Sequence, residues 1–221
     1  MGFWKSRDLV TTRGLPRDAV EELFTEAEEM RAAVSADKVP QCLKRMSVGL
    51  LFFEPSLRSN LFLTSAASRL GGSAFNYSQS PGFEVFKGES FSNAVRLASA
   101  TVDCVAIRHP MAGAAAVAAE ASEIPVLNCG DGSNQHPLNA LSYLFEVNRE
   151  KKGIDGLRFV FVGDLACSRT VHSFLYLLAA FENVSIELHS SPQSRIPAWV
   201  LNELRDSAKV REATSLDLQN A

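Results

Sequence analysis

From residue 47 onward the chain repeats one pattern: a short run rich in β-branched and large apolar residues, then a longer run with helical spacing. "SVGLLFF" precedes a helical stretch at 57–70, "DCVAIR" one at 113–121, "IPVLN" one at 138–149, "LRFVFVG" one at 170–181 and "VSIEL" one at 197–207. Parallel strands need a long crossover between them, usually a helix, so this alternation predicts an α/β fold with helices layered on parallel sheets. Ahead of it, Val20, Leu23, Phe24, Ala27 and Met30 recur at helical spacing behind Pro16, a residue suited to a first helical turn. An amphipathic helix is expected over 16–34. The charged, glycine-bearing stretch "NREKKGIDG" interrupts the apolar signal at 148–156, just before a new strand, and marks a domain boundary. The expectation is two doubly wound parallel-sheet domains, 1–150 and 151–221. Only two clear strands follow the boundary, too few to bury both faces of a sheet, so the second domain is expected to be incomplete and the chain to be the front part of a longer protein.

Bulk properties exclude several function classes. A hydrophobic content of 46% over 221 residues is ample for packed cores. With a net charge of -3 and basic residues dispersed along the chain, nucleic acid is not an expected partner. The longest apolar runs, "MAGAAAVAA" and "FLYLLAAF", are far short of the ~20 residues a membrane span requires. Cys42, Cys104, Cys129 and Cys167 form no C-x-x-C pair, which argues for reduced thiols and a cytoplasmic protein. "MGFWKS" fits the N-myristoylation pattern, but no polybasic patch follows to supply a second anchoring signal.

In open parallel sheets ligands bind beyond the carboxyl ends of the strands. Here those ends are polar. After "LLFF" comes Glu54-Pro55-Ser56-Leu57-Arg58-Ser59, where Ser56 is a natural helix cap. An anion at that helix start would meet backbone N–H groups, two hydroxyls and a guanidinium. The competing reading is that Ser56 only caps and Arg58 only faces solvent. "VAIRHP" leaves Arg108 and His109 at the next such edge, and "NCGDGSNQHPLNA" brings Gln135 and His136 to the start of another helix. "VGDLACSRTVHS" puts Arg169 near a further helix start. No G-x-G-x-x-G, Walker or G-x-S-x-G motif occurs, and His109, His136, His172 and His189 lack metal-pair spacing. Electrostatic chemistry remains. Cations, hydroxyls and an imidazole can hold a phosphate and polarise an adjacent carbonyl, and acyl phosphates carry both groups.

In order along the chain, "FFEPSLRS", "RLGG", "KGES", "RHP", "PVLNCGDGSNQHP" and "VGDLACSRTVHS" resemble the motifs of the aspartate/ornithine carbamoyltransferase family. "KGE" and "GDGSNQHP" look like its aspartate branch. The resemblance implies transfer of a carbamoyl group from carbamoyl phosphate to the amino group of L-aspartate, a step of pyrimidine biosynthesis, with no cofactor and no metal. It implies that Ser56, Leu57, Arg58 and Ser59 hold the phosphate, with Asn139 near the carbamoyl amino group. Arg108, His136 and Ser59 would stabilise the oxyanion, and Arg169 would hold a carboxylate of aspartate. Glu54 would pair with Arg169 or a neighbouring arginine when the domains close. Lys87 would reach the site of an adjacent subunit, within a homotrimer that regulatory or active partner chains could join.

The match also departs from the family. Its S-T-R-T is Ser56-Leu57-Arg58-Ser59 here, one hydroxyl fewer, and its H-P-T-Q is His136-Pro137-Leu138-Asn139, with an amide one methylene shorter. A hydrogen bond to a charged ligand is worth ~1.5–3 kcal/mol, so these changes weaken binding without abolishing it. A non-catalytic relative that binds carbamoyl phosphate or assembles with an active chain, or an enzyme with another acceptor such as an ornithine derivative, is the alternative.

Overall fold

The structure, a computed structural model, describes residues 3–4, 7–77, 90–204 and 209–213. It divides into two compact units, the first formed by Met1–Val10 and Glu22–Gly132, the second by Thr11–Glu21 and Ser133–Ala221. Both are α/β with parallel sheets. Helix α1 (Arg17–Ser35) starts one residue after Pro16, as its spacing predicts, and buries Ala19, Val20 and Phe24.

In the first unit, β1 (Ser47–Phe52), β2 (Ser73–Asn76), β3 (Cys104–His109) and β4 (Val126–Asp131) form one parallel sheet in the order β2-β1-β3-β4. Helix α2 (Leu57–Arg69) links β1 to β2, α3 (Phe91–Ser99) precedes β3, and α4 (Ala114–Ala121) links β3 to β4. Leu51, Val105, Ile107 and Val126 from the sheet meet Val95 and Ala98 of α3 and Ala118 of α4 in one core cluster. The N-terminal segment extends this sheet beside β4. Leu9 N–H donates to the Val126 carbonyl at 2.8 Å, and Asn128 N–H donates back to the Leu9 carbonyl at 2.9 Å.

Strand order decides where a ligand can bind in this unit. The chain leaves β1 towards β2 on one side and resumes at β3 on the other, so the order reverses between β1 and β3. In open α/β sheets, such a reversal beyond the strand ends is where ligands bind. Phe52 lies opposite Arg108 in the ladder, and Phe53 N–H donates to the Arg108 carbonyl at 2.8 Å. The segment after β1 therefore starts beside the end of β3.

In the second unit, β5 (Arg158–Val162), β6 (Ser185–His189) and β7 (Lys209–Ala213) run parallel in that order. Helices α5 (Pro137–Lys151), α6 (Arg169–Leu178) and α7 (Ala198–Leu204) accompany them. Helix α6 is the most buried: His172 to Leu178 are all buried, and Phe174 meets Phe159 and Phe161 of β5 edge-on. Strands β2 and β7 and helix α3 are elements the sequence reading did not foresee. No helix among the described residues is long and apolar enough to cross a membrane.

Candidate active site

The first unit gathers its polar residues at the switch between β1 and β3. Pro55 and Ser56 end the extended chain after β1, and Ser56, at φ -149, caps α2 by accepting the Ser59 N–H at 3.4 Å. The first turn of α2 thus presents N–H groups and the positive end of its dipole, with no acidic residue in that turn to compete for them. Leu57 and Arg58 are exposed, and Ser59 is half-buried. Arg58 and the hydroxyls of Ser56 and Ser59 belong to this same turn.

Beside this turn, Arg108 is held from two directions. Its guanidinium pairs with the Glu54 carboxylate, and Nη1 donates to the Cys129 carbonyl at 3.1 Å. The Arg108 side chain is only 11% exposed, so its charge is fixed in direction where little water screens it. His109, the next residue, packs against Phe53 and Phe91 with ring centroids 5.1 and 5.0 Å away. Its Nδ1 accepts the Met111 N–H at 3.0 Å. Burial lowers its pKa, against the opposing pull of the Asp131 carboxylate. The Cys129 thiol is pushed up to about 12 by burial and is inert as a nucleophile.

The loop from β4 into α5 turns sharply. Gly132 sits at φ +54, and a Cβ there would lie 2.7 Å from Ala112 N and 2.8 Å from the Pro110 carbonyl oxygen. Glycine is required by both conformation and space.

In the second unit, His136 caps α5, with Pro137 at the first helical position and Nδ1 accepting the Asn139 N–H at 3.4 Å. The residue is buried, and its own N–H donates to Ser173 Oγ at 2.8 Å. Gln135 is locked alongside. Its Oε1 accepts from Thr12 N–H at 2.8 Å and Thr12 Oγ1 at 3.0 Å, and its Nε2 donates to Thr11 Oγ1 at 2.7 Å. Arg169 opens α6 and is half-buried. The loop before it is shaped by Asp164, whose Oδ1 accepts the N–H groups of Ala166 and Cys167 at 3.1 and 3.3 Å.

The structure therefore brings Glu54, Ser56, Leu57, Arg58, Ser59 and Arg108 together in the first unit. It places His136 and Asn139 at one helix start and Arg169 at another in the second. Glu54 is paired with Arg108. Lys87 lies outside the described residues. Thr12 and Ser173, which fix Gln135 and His136, were missed by the sequence reading, since each lies far along the chain from the loop it supports and carries no local signal. Among the described residues, no cluster of three His, Cys, Asp or Glu side chains could hold a metal ion.

A family model described as "Aspartate/ornithine carbamoyltransferase, carbamoyl-P binding domain" matches residues 7–149. The chain belongs to the aspartate/ornithine carbamoyltransferase family. Within it, the aspartate carbamoyltransferase catalytic subunit of Thermococcus onnurineus is 40% identical over 215 residues, which cover 97% of this chain and 69% of the relative. The solved catalytic subunit of M. jannaschii aspartate transcarbamoylase superposes with a TM-score of 0.86 at 36% identity, over 96% of this chain and 69% of that one. The Trypanosoma cruzi aspartate transcarbamoylase solved with carbamoyl phosphate and aspartate gives 0.90 at 27% identity, over 98% and 70%. Family membership and the two doubly wound, parallel α/β parts follow the sequence reading.

Proposed function

We propose that this chain transfers the carbamoyl group of carbamoyl phosphate to the amino group of L-aspartate, giving N-carbamoyl-L-aspartate and phosphate. The observation that carries this reading is the switch point between β1 and β3, where a capped, cation-bearing helix start lies beside a buried, fixed arginine. The relatives' names and their complexes with carbamoyl phosphate and aspartate support aspartate as the acceptor, and not a non-catalytic role or an ornithine-type acceptor.

In this reading the phosphate rests on Ser56, the Leu57 backbone, Arg58 and Ser59. Arg108 and His136 draw electron density from the carbamoyl carbonyl, and Asn139 meets its amino group. The neutral α-amino group of aspartate, its carboxylate held by Arg169, attacks the carbonyl carbon. The oxyanion that forms is stabilised by Arg108, His136 and the Ser59 hydroxyl, as preorganised donors stabilise charge that develops only in the transition state. The C–O bond to phosphate then breaks as the carbonyl re-forms, and the attacking nitrogen gives one proton to the departing phosphate. Holding both reactants in one orientation supplies much of the acceleration.

We assign residues 1–150 to carbamoyl phosphate binding and 151–221 to part of the aspartate-binding domain, a division that the extent of the family match supports. Glu54 serves domain closure by pairing with Arg169 or with a neighbouring arginine, as it does with Arg108. Lys87 contributes to both substrate sites, from an adjacent subunit of a homotrimer, with regulatory or active partner chains as further partners, in the cytoplasm. Isothermal calorimetry tests the phosphate site. Arg58→Ala is expected to weaken binding of a carbamoyl phosphate analogue by about tenfold or more, and unchanged binding in both Arg58→Ala and His136→Ala would contradict the assignment.

A further inference from the structure

Two loops of the second unit carry the proposed catalytic and acceptor-binding side chains, and one imidazole joins them. His172 lies one turn into α6 with no exposed surface. Its Nδ1 is 3.1 Å from the Asn134 carbonyl oxygen, and its Nε2 is 2.8 Å from the Leu165 carbonyl oxygen. Asn134 lies two residues before His136, and Leu165 four before Arg169. The Trp199 ring stands nearly perpendicular to the imidazole at 5.3 Å, which fixes the orientation of its plane.

A buried imidazole costs free energy unless its polar atoms are matched, and an apolar side chain would fill the same volume without that cost. The position is therefore poorly explained by packing alone. Each ring nitrogen faces the backbone of a different loop, and a backbone carbonyl can be moved only with the loop that owns it. The neighbouring Ser173 hydroxyl accepts the His136 N–H, so the Asn134–His136 segment is tied to α6 at two points. The loop ahead of Arg169 has a different second anchor: Leu165 and Ala166 N–H groups both donate to the Ser194 carbonyl, at 3.0 and 3.1 Å.

We propose that His172 is a positioning residue: both facing atoms are carbonyl oxygens, which only accept, so the ring carries an N–H on each nitrogen and donates through Nδ1 to the His136 loop and through Nε2 to the Arg169 loop, keeping carbonyl polarisation and acceptor binding in register. The inference rests on the roles proposed above for His136 and Arg169. Displacements of about 1 Å in a positioned group can cost 10²-fold in rate, so a tie of this kind has kinetic consequences without touching substrate.

The two ties can be cut separately. Asn places its amide nitrogen where Nδ1 lies, and Gln places its own where Nε2 lies. His172→Asn is expected to keep the Asn134 tie, leaving kcat within about threefold while the KM for aspartate rises by about tenfold. His172→Gln is expected to do the reverse, lowering kcat by about tenfold with the aspartate KM little changed. Steady-state kinetics of both variants, each checked for native melting behaviour, and of His136→Ala and Arg169→Ala as references, form the experiment. Opposite kcat and KM shifts in the two variants support the tie. Equal shifts in both, or lower melting temperatures with unaltered kinetics, overturn it while the function stands. A wild-type protein that does not carbamoylate aspartate overturns the functional reading, and this inference with it.

Discussion

The guanidinium of Arg108, at the carboxyl end of β3, is paired with the carboxylate of Glu54, two residues beyond the end of β1. The pair spans the point where the strand order reverses, and the Cys129 carbonyl on β4 completes the hold at 3.1 Å. Three segments of one sheet thus fix a single cation at this switch, and in the proposed function that cation polarises the carbamoyl carbonyl. Truncation in Arg108→Ala is expected to lower kcat by about 10²–10³-fold. It also leaves a half-buried carboxylate without this partner, at a cost to folding of roughly 1.5–3 kcal/mol. Steady-state assays and urea unfolding measure the two effects, and an unchanged kcat would remove Arg108 from the chemistry.

Leu57 occupies the first position of α2 and is 75% exposed, so a substitution there disturbs little packing. Leu57→Thr adds the hydroxyl that the family's turn carries. If the turn holds phosphate, that hydroxyl is expected to tighten binding of a carbamoyl phosphate analogue by about tenfold or more, the equivalent of ~1.5–3 kcal/mol. Calorimetric titration of wild type and variant decides the matter, with unchanged affinity as the adverse result.

His109 makes stability depend on pH. Burial holds its folded-state pKa below the ordinary 6.5, so the unfolded chain takes up the proton first as pH falls. Stability from this residue is fully present above 6.5 and is lost as pH drops through the lowered folded value. His109→Asn keeps an acceptor for the Met111 N–H but cannot titrate. Urea midpoints measured from about pH 5 to 7.5 should fall more steeply with acid in the wild type than in the variant. Parallel profiles would show that His109 does not contribute.

Gly132→Ala tests the turn that leads out of β4. The new Cβ would press on the backbone of Pro110 to Ala112 and sit at a left-handed φ, so a destabilisation of about 1–3 kcal/mol is expected. Thermal unfolding of the variant at the wild-type midpoint would contradict the strain argument.

What the sequence made legible, and what it hid, have physical reasons. Long, strongly periodic elements were readable: α1 was expected at 16–34 and spans Arg17–Ser35, and α5 was expected at 138–149 and spans Pro137–Lys151. Strand β2 was not, because it has four residues, borders its sheet and leaves Phe75 half-exposed, so no apolar run announces it. Helix α3 buries only Ala94, Val95 and Ala98, small side chains that give a weak periodic signal, although the cap at Ser90 was there to be read. Strand β7, "KVREA", is mostly charged and borders its sheet. At the candidate site, Ser56, Arg58, Arg108 and His136 were legible as polar residues at strand ends and helix starts. An arginine partner for Glu54 was expected, but that it is Arg108, and that Ser173 holds His136, join residues far apart in the chain and emerge only in the tertiary fold.

The most direct test follows labelled carbamoyl phosphate into product in the presence of L-aspartate and, separately, L-ornithine, for wild type, Arg108→Ala and His136→Ala. N-carbamoyl-L-aspartate is expected from the wild type, with no ornithine product, and turnover should drop by about 10²-fold or more in each variant. Carbamoylation of ornithine in place of aspartate, or equal turnover in all three proteins, would contradict the proposed chemistry.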